Sequence, residues 1–215
     1  MTKKKILLSA VALILVCALS VMGTIAFLTK QSGPITNTFV ASATPDDFVG
    51  TLALKEYGIE ADGKGGYTQT DTVNTTGNTY TVVPGLVMPK HAFVELKRTN
   101  ATPAYLFIEV ANPLDSAVYE YSIDSKWVAL SGVTGPNGGT VYVLGTKNGS
   151  TVSGTVLNAI EQTYDILTNN VVTVKSSATP AASVSMSFYA YVTQASVAVS
   201  GANTSDPAAV FDACF

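Results

Sequence analysis

From Phe39 onward, apolar and polar residues alternate with a period of two, in short runs rich in Val, Thr, Tyr, Phe and Ile and separated by turn residues. This is the pattern of half-buried β-strands. "HAFVELK" sets Val94 and Leu96 on one face and Glu95 and Lys97 on the other, and "AYLFIEVAN" directs Leu106, Ile108 and Val110 inward. The two runs read as neighbouring strands joined by a short Thr-Asn-Ala-Thr-Pro connection. "YEYSID" and "SKWVALSG" flank a turn at Asp124-Ser125, and Val82-Val83 leads into a Pro84-Gly85 turn. "GGTVYVLGT" is a strand closed by the turn signal Lys147-Asn148-Gly149, and "NNVVTVKSS" is another. The longest run, "ASVSMSFYAYVTQAS", places Val184, Met186, Phe188, Ala190 and Val192 on one face. Ser185, Ser187, Tyr189, Tyr191 and Thr193 occupy the other, which the pattern leaves partly solvated.

Helical signals are few. Leu157, Ile160 and Tyr164 are spaced for one or two helical turns within "VLNAIEQTYDIL". In "DPAAVFDACF", Asp206 suits an N-cap and Pro207 the first helical position, which predicts a short closing helix. Gly58 to Asn78, rich in Gly and Thr, reads as a long exposed loop or an insertion. Eight or more short strands at this spacing predict an all-β fold, an antiparallel, jelly-roll-like β-sandwich. No internal repeat or second domain is visible.

The first residues follow a different pattern. Lys3, Lys4 and Lys5 precede an apolar run from Ile6 to Met22, and Gly23, Thr24 and Ala26 supply small residues after it. These are the parts of a secretory signal helix, with a cut between Ala26 and Phe27. The organisation expected is a signal peptide over 1–26 and one β-sandwich domain over 27–215. The apolar stretch from Ile6 to Leu28 is also long enough to span a bilayer if the bond stays intact. Cys17 follows Val16, which does not suit a lipoprotein anchor.

Removing 1–26 takes away three of the 12 Lys and Arg and none of the 15 Asp and Glu, leaving 189 residues with a net charge near −6. An acidic surface of this kind does not suit phosphate neutralisation or docking on an anionic membrane. The expected partners therefore exclude nucleic acid, and contact with the membrane is confined to the signal peptide before cleavage. Cys214 alone remains in the mature part, so no intrachain disulfide is available and an incidental, exposed thiol is expected.

Candidate chemistry is sparse. His91, the only histidine, must carry any Ser-His-Asp or Cys-His arrangement, and it reads as a solvated loop residue. No HExxH motif, Cys/His cluster, GxSxG or P-loop occurs, so the sequence gives no basis for a metal, a cofactor or an enzymatic role. Asp46-Asp47 and Glu60/Asp62 are acidic pairs that suit solvated turns, with calcium binding as the sharper alternative. Trp127, with Tyr119 and Tyr121, is either core packing or an aromatic platform for a glycan.

Several stretches together resemble the SipW-dependent exported proteins of the TasA/CalY (camelysin-like) family of Gram-positive bacteria. These are Gly23-Thr24-Ile25-Ala26, Phe27-Leu28-Thr29, Thr36-Asn37-Thr38-Phe39, the Val-Pro-Gly turn, "AYLFIEV" and "SFYAYVTQAS". The likeness covers about a third of the chain. It implies processing by a SipW-type signal peptidase and secretion to the extracellular matrix or cell surface of a Gram-positive bacterium. It further implies a structural role in biofilm-matrix fibres, as a homo-oligomer built by donor-strand exchange. Residues 27–41, with Ile35, Asn37, Phe39 and Val40 in their β-prone part, suit the donor strand: they are low in charge and free once the signal is removed. Two other functions are weighed beside this one. The first is a camelysin-like metal-dependent protease working through His91. The second is a monomeric adhesin that binds glycans or host proteins through the Tyr/Trp face.

Overall fold

The computed structural model describes residues 30–31, 51–98, 103–157, 161–180, 184–199 and 202–215. The first strands are β1 (Lys30–Gln31), β2 (Thr51–Ala61), β3 (Tyr67–Asn74), β4 (Val87–Pro89) and β5 (Ala92–Lys97). The middle of the chain forms β6 (Ala104–Ala111), β7 (Tyr119–Glu120), β8 (Trp127–Thr134), β9 (Thr140–Asn148) and β10 (Thr151–Gly154). β11 (Glu161–Asp165), β12 (Val171–Val174), β13 (Ser187–Gln194), β14 (Val197–Val199) and β15 (Ala202–Thr204) follow, and helix α1 (Pro207–Cys214) closes the chain.

The fold is all-β, and its named strands pair antiparallel. The largest sheet has the order β1-β13-β6-β9-β10, with β8 also paired to β9. A second sheet runs β11-β5-β2-β3 and a third β4-β12-β7, while β14 and β15 form a separate hairpin.

β6 explains the layering. All eight of its residues are buried, so both its faces are covered. Leu106, Ile108 and Val110 share one core with Phe188, Ala190 and Val192 of β13, Leu52 and Leu54 of β2, Val94 and Leu96 of β5, and Val172 and Val174 of β12. Tyr105 and Phe107, of opposite parity, join a second core with Val141, Val143 and Tyr191 under Val210 and Phe211 of α1. Burying each large side chain of this kind contributes roughly 1.5–3 kcal/mol. The closing helix forms as its sequence predicts: Asp206 Oδ2 accepts from Ala209 N at 3.3 Å, and Pro207 occupies the first turn.

Four local expectations are corrected. The Tyr191 and Thr193 face of β13 is buried, because α1 and its second core cover the side that the pattern left wet. β5 and β6 do not neighbour each other; β5 pairs with β2 and β11, and β6 with β13 and β9, so the two strands belong to different sheets. Gly58–Asn78 is a polar hairpin, with β2 running to Ala61 and β3 returning from Tyr67. Its largely exposed β3 lacks the apolar face that would have revealed it. Within "VLNAIEQTYDIL", Glu161–Asp165 is a strand on β5, where register with Phe93–Lys97 overrides a weak helical spacing.

The turns follow their residues. Leu86 N donates to Val83 O at 3.1 Å across Pro84-Gly85, and Gly85 takes the positive φ that this turn requires. Trp127 N closes on Asp124 O at 2.9 Å, with Ser125 at the turn. Among the described residues no helix is long and apolar enough to cross a membrane. The signal segment, Cys17 and Asp46-Asp47 lie outside them.

Candidate functional site: the outer edge of β13

β13 is held on one side by β6 in unbroken register, from Ser187↔Ala111 to Gln194↔Ala104. On its other side lies the N-terminal segment, with Lys30 opposite Val192 and Gln31 opposite Tyr191. The larger sheet therefore ends on a strand contributed by the beginning of the chain, some 160 positions away in sequence. Phe188, Ala190, Tyr191 and Val192 are fully buried, so the edge is backed by packed core on both faces. A strand laid on this edge satisfies backbone N–H and C=O groups against a rigid support. Of the expected donor segment, Lys30 and Gln31 alone are described; Ala26, Phe27, Ile35, Asn37, Phe39 and Val40 lie outside the described residues.

A buried acid stiffens the support. Glu109 of β6 has no exposed surface. Its Oε1 accepts from Asn137 N at 2.9 Å and Gly139 N at 2.7 Å, and its Oε2 accepts from Asn137 Nδ2 at 2.9 Å and the Tyr191 hydroxyl at 2.5 Å. The β8–β9 turn therefore folds over this carboxylate. Gly135 and Gly139 permit the approach: a Cβ on Gly135 would overlap the Glu109 carboxyl carbon, and one on Gly139 would lie 2.5 Å from Val110 O. Burial first, and then the bond to Glu109, push the Tyr191 phenol above its ordinary value.

The other candidate residues have structural partners. His91 is a half-buried residue and not a solvated one: Nε2 lies 2.9 Å from Asp165 Oδ1, and its ring sits against Tyr57 and Phe93. Trp127 and Tyr119 are buried, and Trp127 Nε1 donates to Asp165 O at 2.8 Å, so they form core and not an open platform. Tyr121 is partly buried against the first core. Asp62 caps its own turn; the N–H groups of Lys64 and Gly66 donate to Oδ1 at 2.7 and 2.8 Å and hold the carboxyl below its ordinary value. Cys214 is part-buried and not exposed, its Sγ 3.3 Å from Thr193 Oγ1, and burial raises its thiol. No group of three or more His, Cys, Asp or Glu side chains gathers as a metal site would among the described residues.

Lys55, Glu95, Lys97 and Glu161 form an ion-pair ladder across β2, β5 and β11. Burial alone would raise the Glu95 carboxyl, but the bonds and charges of Lys55 and Lys97 outweigh it and hold the group below its usual range. Sequence reading missed two polar centres, Glu109 and Glu56. Each stands in an otherwise apolar parity, Glu109 after Tyr105 and Phe107 and Glu56 after Leu52 and Leu54, and that break in pattern is the signal that marks them.

No family model, curated protein or solved structure matches the chain.

Proposed function

We propose that this chain is a secreted structural subunit of cell-surface or biofilm-matrix fibres, and that it assembles by donating its mature N-terminal strand to the sheet of a neighbouring copy. The observation that carries the reading is the antiparallel pairing of Lys30–Gln31 with Val192 and Tyr191 on the outer side of β13. A segment that completes its own sheet at an edge can complete the same edge of an identical chain, since both pairings use the same backbone groups. Exchange then turns a self-complete fold into a head-to-tail polymer.

In this reading a SipW-type peptidase cuts between Ala26 and Phe27, and the cut frees the segment 27–41, whose Lys30–Gln31 pair with β13, for donation to another copy. The sandwich is of jelly-roll type, and the small second core under α1 keeps the acceptor strand rigid while donors exchange. The N-terminal motifs, the low charge of residues 27–41 and the absence of catalytic sequence motifs support the same assignment.

Protein beginning at Phe27 is expected to form fibres visible by electron microscopy. Protein lacking residues 27–41 is expected to stay monomeric in light scattering, and a synthetic peptide of that segment should bind it. Fibres that persist after the deletion overturn strand donation. N-terminal sequencing of exported material that shows an intact Ala26–Phe27 bond overturns the release step.

A further inference from the structure

Glu56 sits on β2, the strand flanked by β3 and β5, and is completely buried. Its two oxygens hold different nitrogens. Lys90 Nζ lies 2.8 Å from Oε2, and Asn78 Nδ2 donates to Oε1 at 2.8 Å. The Lys90 side chain is only 13% exposed. The carboxamide of Asn78 is fixed at both ends: Nδ2 also donates to Tyr57 O at 2.8 Å, and Oδ1 accepts from Asn74 Nδ2 at 3.0 Å. Tyr80 closes the cluster, its hydroxyl 3.4 Å from Glu56 Oε1 and donating to Pro89 O at 2.5 Å.

A primary amine and a primary carboxamide thus share one buried carboxylate. Neutralising a buried acid does not require this combination, because Glu109 is satisfied by two backbone N–H groups, an amide and a phenol, with no amine. Glu95 has its two lysines and no amide. Glu56 alone of the three presents a nucleophile and an acyl group to one proton carrier.

We propose that Lys90 and Asn78 join in an intramolecular isopeptide bond, with Glu56 as the general base and acid. Glu56 Oε2 takes a proton from the Lys90 ammonium, and the freed amine attacks Cγ of Asn78. Charge developing on Oδ1 meets the Nδ2–H of Asn74, which already points at that oxygen. Glu56 passes the proton to Nδ2, the Cγ–Nδ2 bond breaks, and ammonia leaves. The surplus proton on Nζ follows through Glu56, so the by-product is ammonium and Glu56 ends as the carboxylate it began as. One Cγ–Nζ bond replaces one Cγ–Nδ2 bond; nothing is oxidised or reduced, and no co-reactant is needed. Holding the groups in place supplies the effective concentration that a free amine and amide lack in water. The bond would tie the exit of β3 to the entry of β5 across β2, and it is independent of whether the chain polymerises.

The test is the intact mass of the purified folded chain, with its N-terminus fixed by sequencing, followed by proteolysis and tandem mass spectrometry. The expected mass is short of the sequence mass by one ammonia, with a branched peptide joining Asn78 to Lys90. Glu56→Gln and Lys90→Ala should each restore the full sequence mass, with folding checked by circular dichroism. Asn137-Gly138 and Asn148-Gly149 can also lose ammonia by succinimide formation. A deficit that is the same in the parent and in folded Lys90→Ala, and that maps to one of these sites, therefore overturns the proposal. Recovery of separate, unmodified Asn78 and Lys90 peptides from the folded parent overturns it without any variant.

Discussion

The hydroxyl of Tyr191 donates to Glu109 Oε2 at 2.5 Å across the β6–β13 pair, and neither side chain is exposed to water. The bond joins the strand that carries the sheet edge to the strand at the middle of the fold. It also sits on the carboxylate over which the β8–β9 turn is folded. Tyr191→Phe removes one of four donors, with an expected loss of about 1–3 kcal/mol, and Glu109→Gln turns an acceptor into a donor facing other donors, with about 2–4 kcal/mol lost. The two changes should be non-additive, because each removes the partner of the other. Urea unfolding of the parent, the single variants and the double variant measures this coupling. Strict additivity would mean that the contact contributes nothing as a pair.

Alkali should expose a second property of the buried phenols. Burial, then the charge and the hydrogen bond of Glu56, raise Tyr80 above its ordinary 10.0, and burial together with the bond to Glu109 does the same for Tyr191. Burial also raises Tyr105, Tyr121, Tyr142 and Tyr164, so the folded state retains phenolic protons that the unfolded chain releases near pH 10.0, with Tyr80 and Tyr191 the most strongly shifted. A raised folded value contributes stability that is complete below the unfolded value and is lost as pH rises past it. Unfolding midpoints should fall above about pH 10, with up to about 1.4 kcal/mol per pH unit from each phenol. Tyr80→Phe with Tyr191→Phe should be less stable at neutral pH yet flatter in alkali. An equally steep alkaline loss in that double variant would remove Tyr80 and Tyr191 as its main cause and leave it to the other raised phenols.

The all-β class, the Pro84-Gly85 turn and the capped closing helix were legible because each is encoded over a few adjacent residues. Period-two runs gave β5, β6, β9, β12 and β13 for the same reason. Sheet membership was not legible: β5 and β6 look like a hairpin pair, and only long-range packing separates them into different layers. The partly wet face expected of this strand holds at Ser187 and Tyr189 and fails at Tyr191 and Thr193, because the cover there comes from α1, whose docking leaves no mark on β13 itself. Polar β3 carries no apolar stripe, so its strand character was hidden. Glu56 and Glu109 were visible as breaks in apolar parity, but their partners, Lys90 with Asn78 and Asn137 with Tyr191, are brought to them by the fold alone.

The register of the N-terminal strand permits a direct test of where that strand lies. Lys30 and Val192 are directly opposed Cα partners in an antiparallel pair, and side chains at such positions stand about 4.5–5.5 Å apart at Cβ. Cysteines at both positions are therefore within disulfide reach, whereas a one-residue slip would turn them to opposite faces. In Lys30→Cys, Val192→Cys protein that also carries Cys214→Ser, oxidation of dilute monomer should close an intrachain bridge and leave the chain monomeric on non-reducing gels. Oxidation of fibres should instead give a ladder of covalent oligomers that collapses with reductant, because the strand on each β13 then comes from another subunit. Cross-linking Lys30→Cys with Thr193→Cys serves as the out-of-register control and should be slow in both samples. Intrachain bridges alone, formed in fibres that remain intact, would show that each subunit keeps its own N-terminal strand and that assembly uses a different surface.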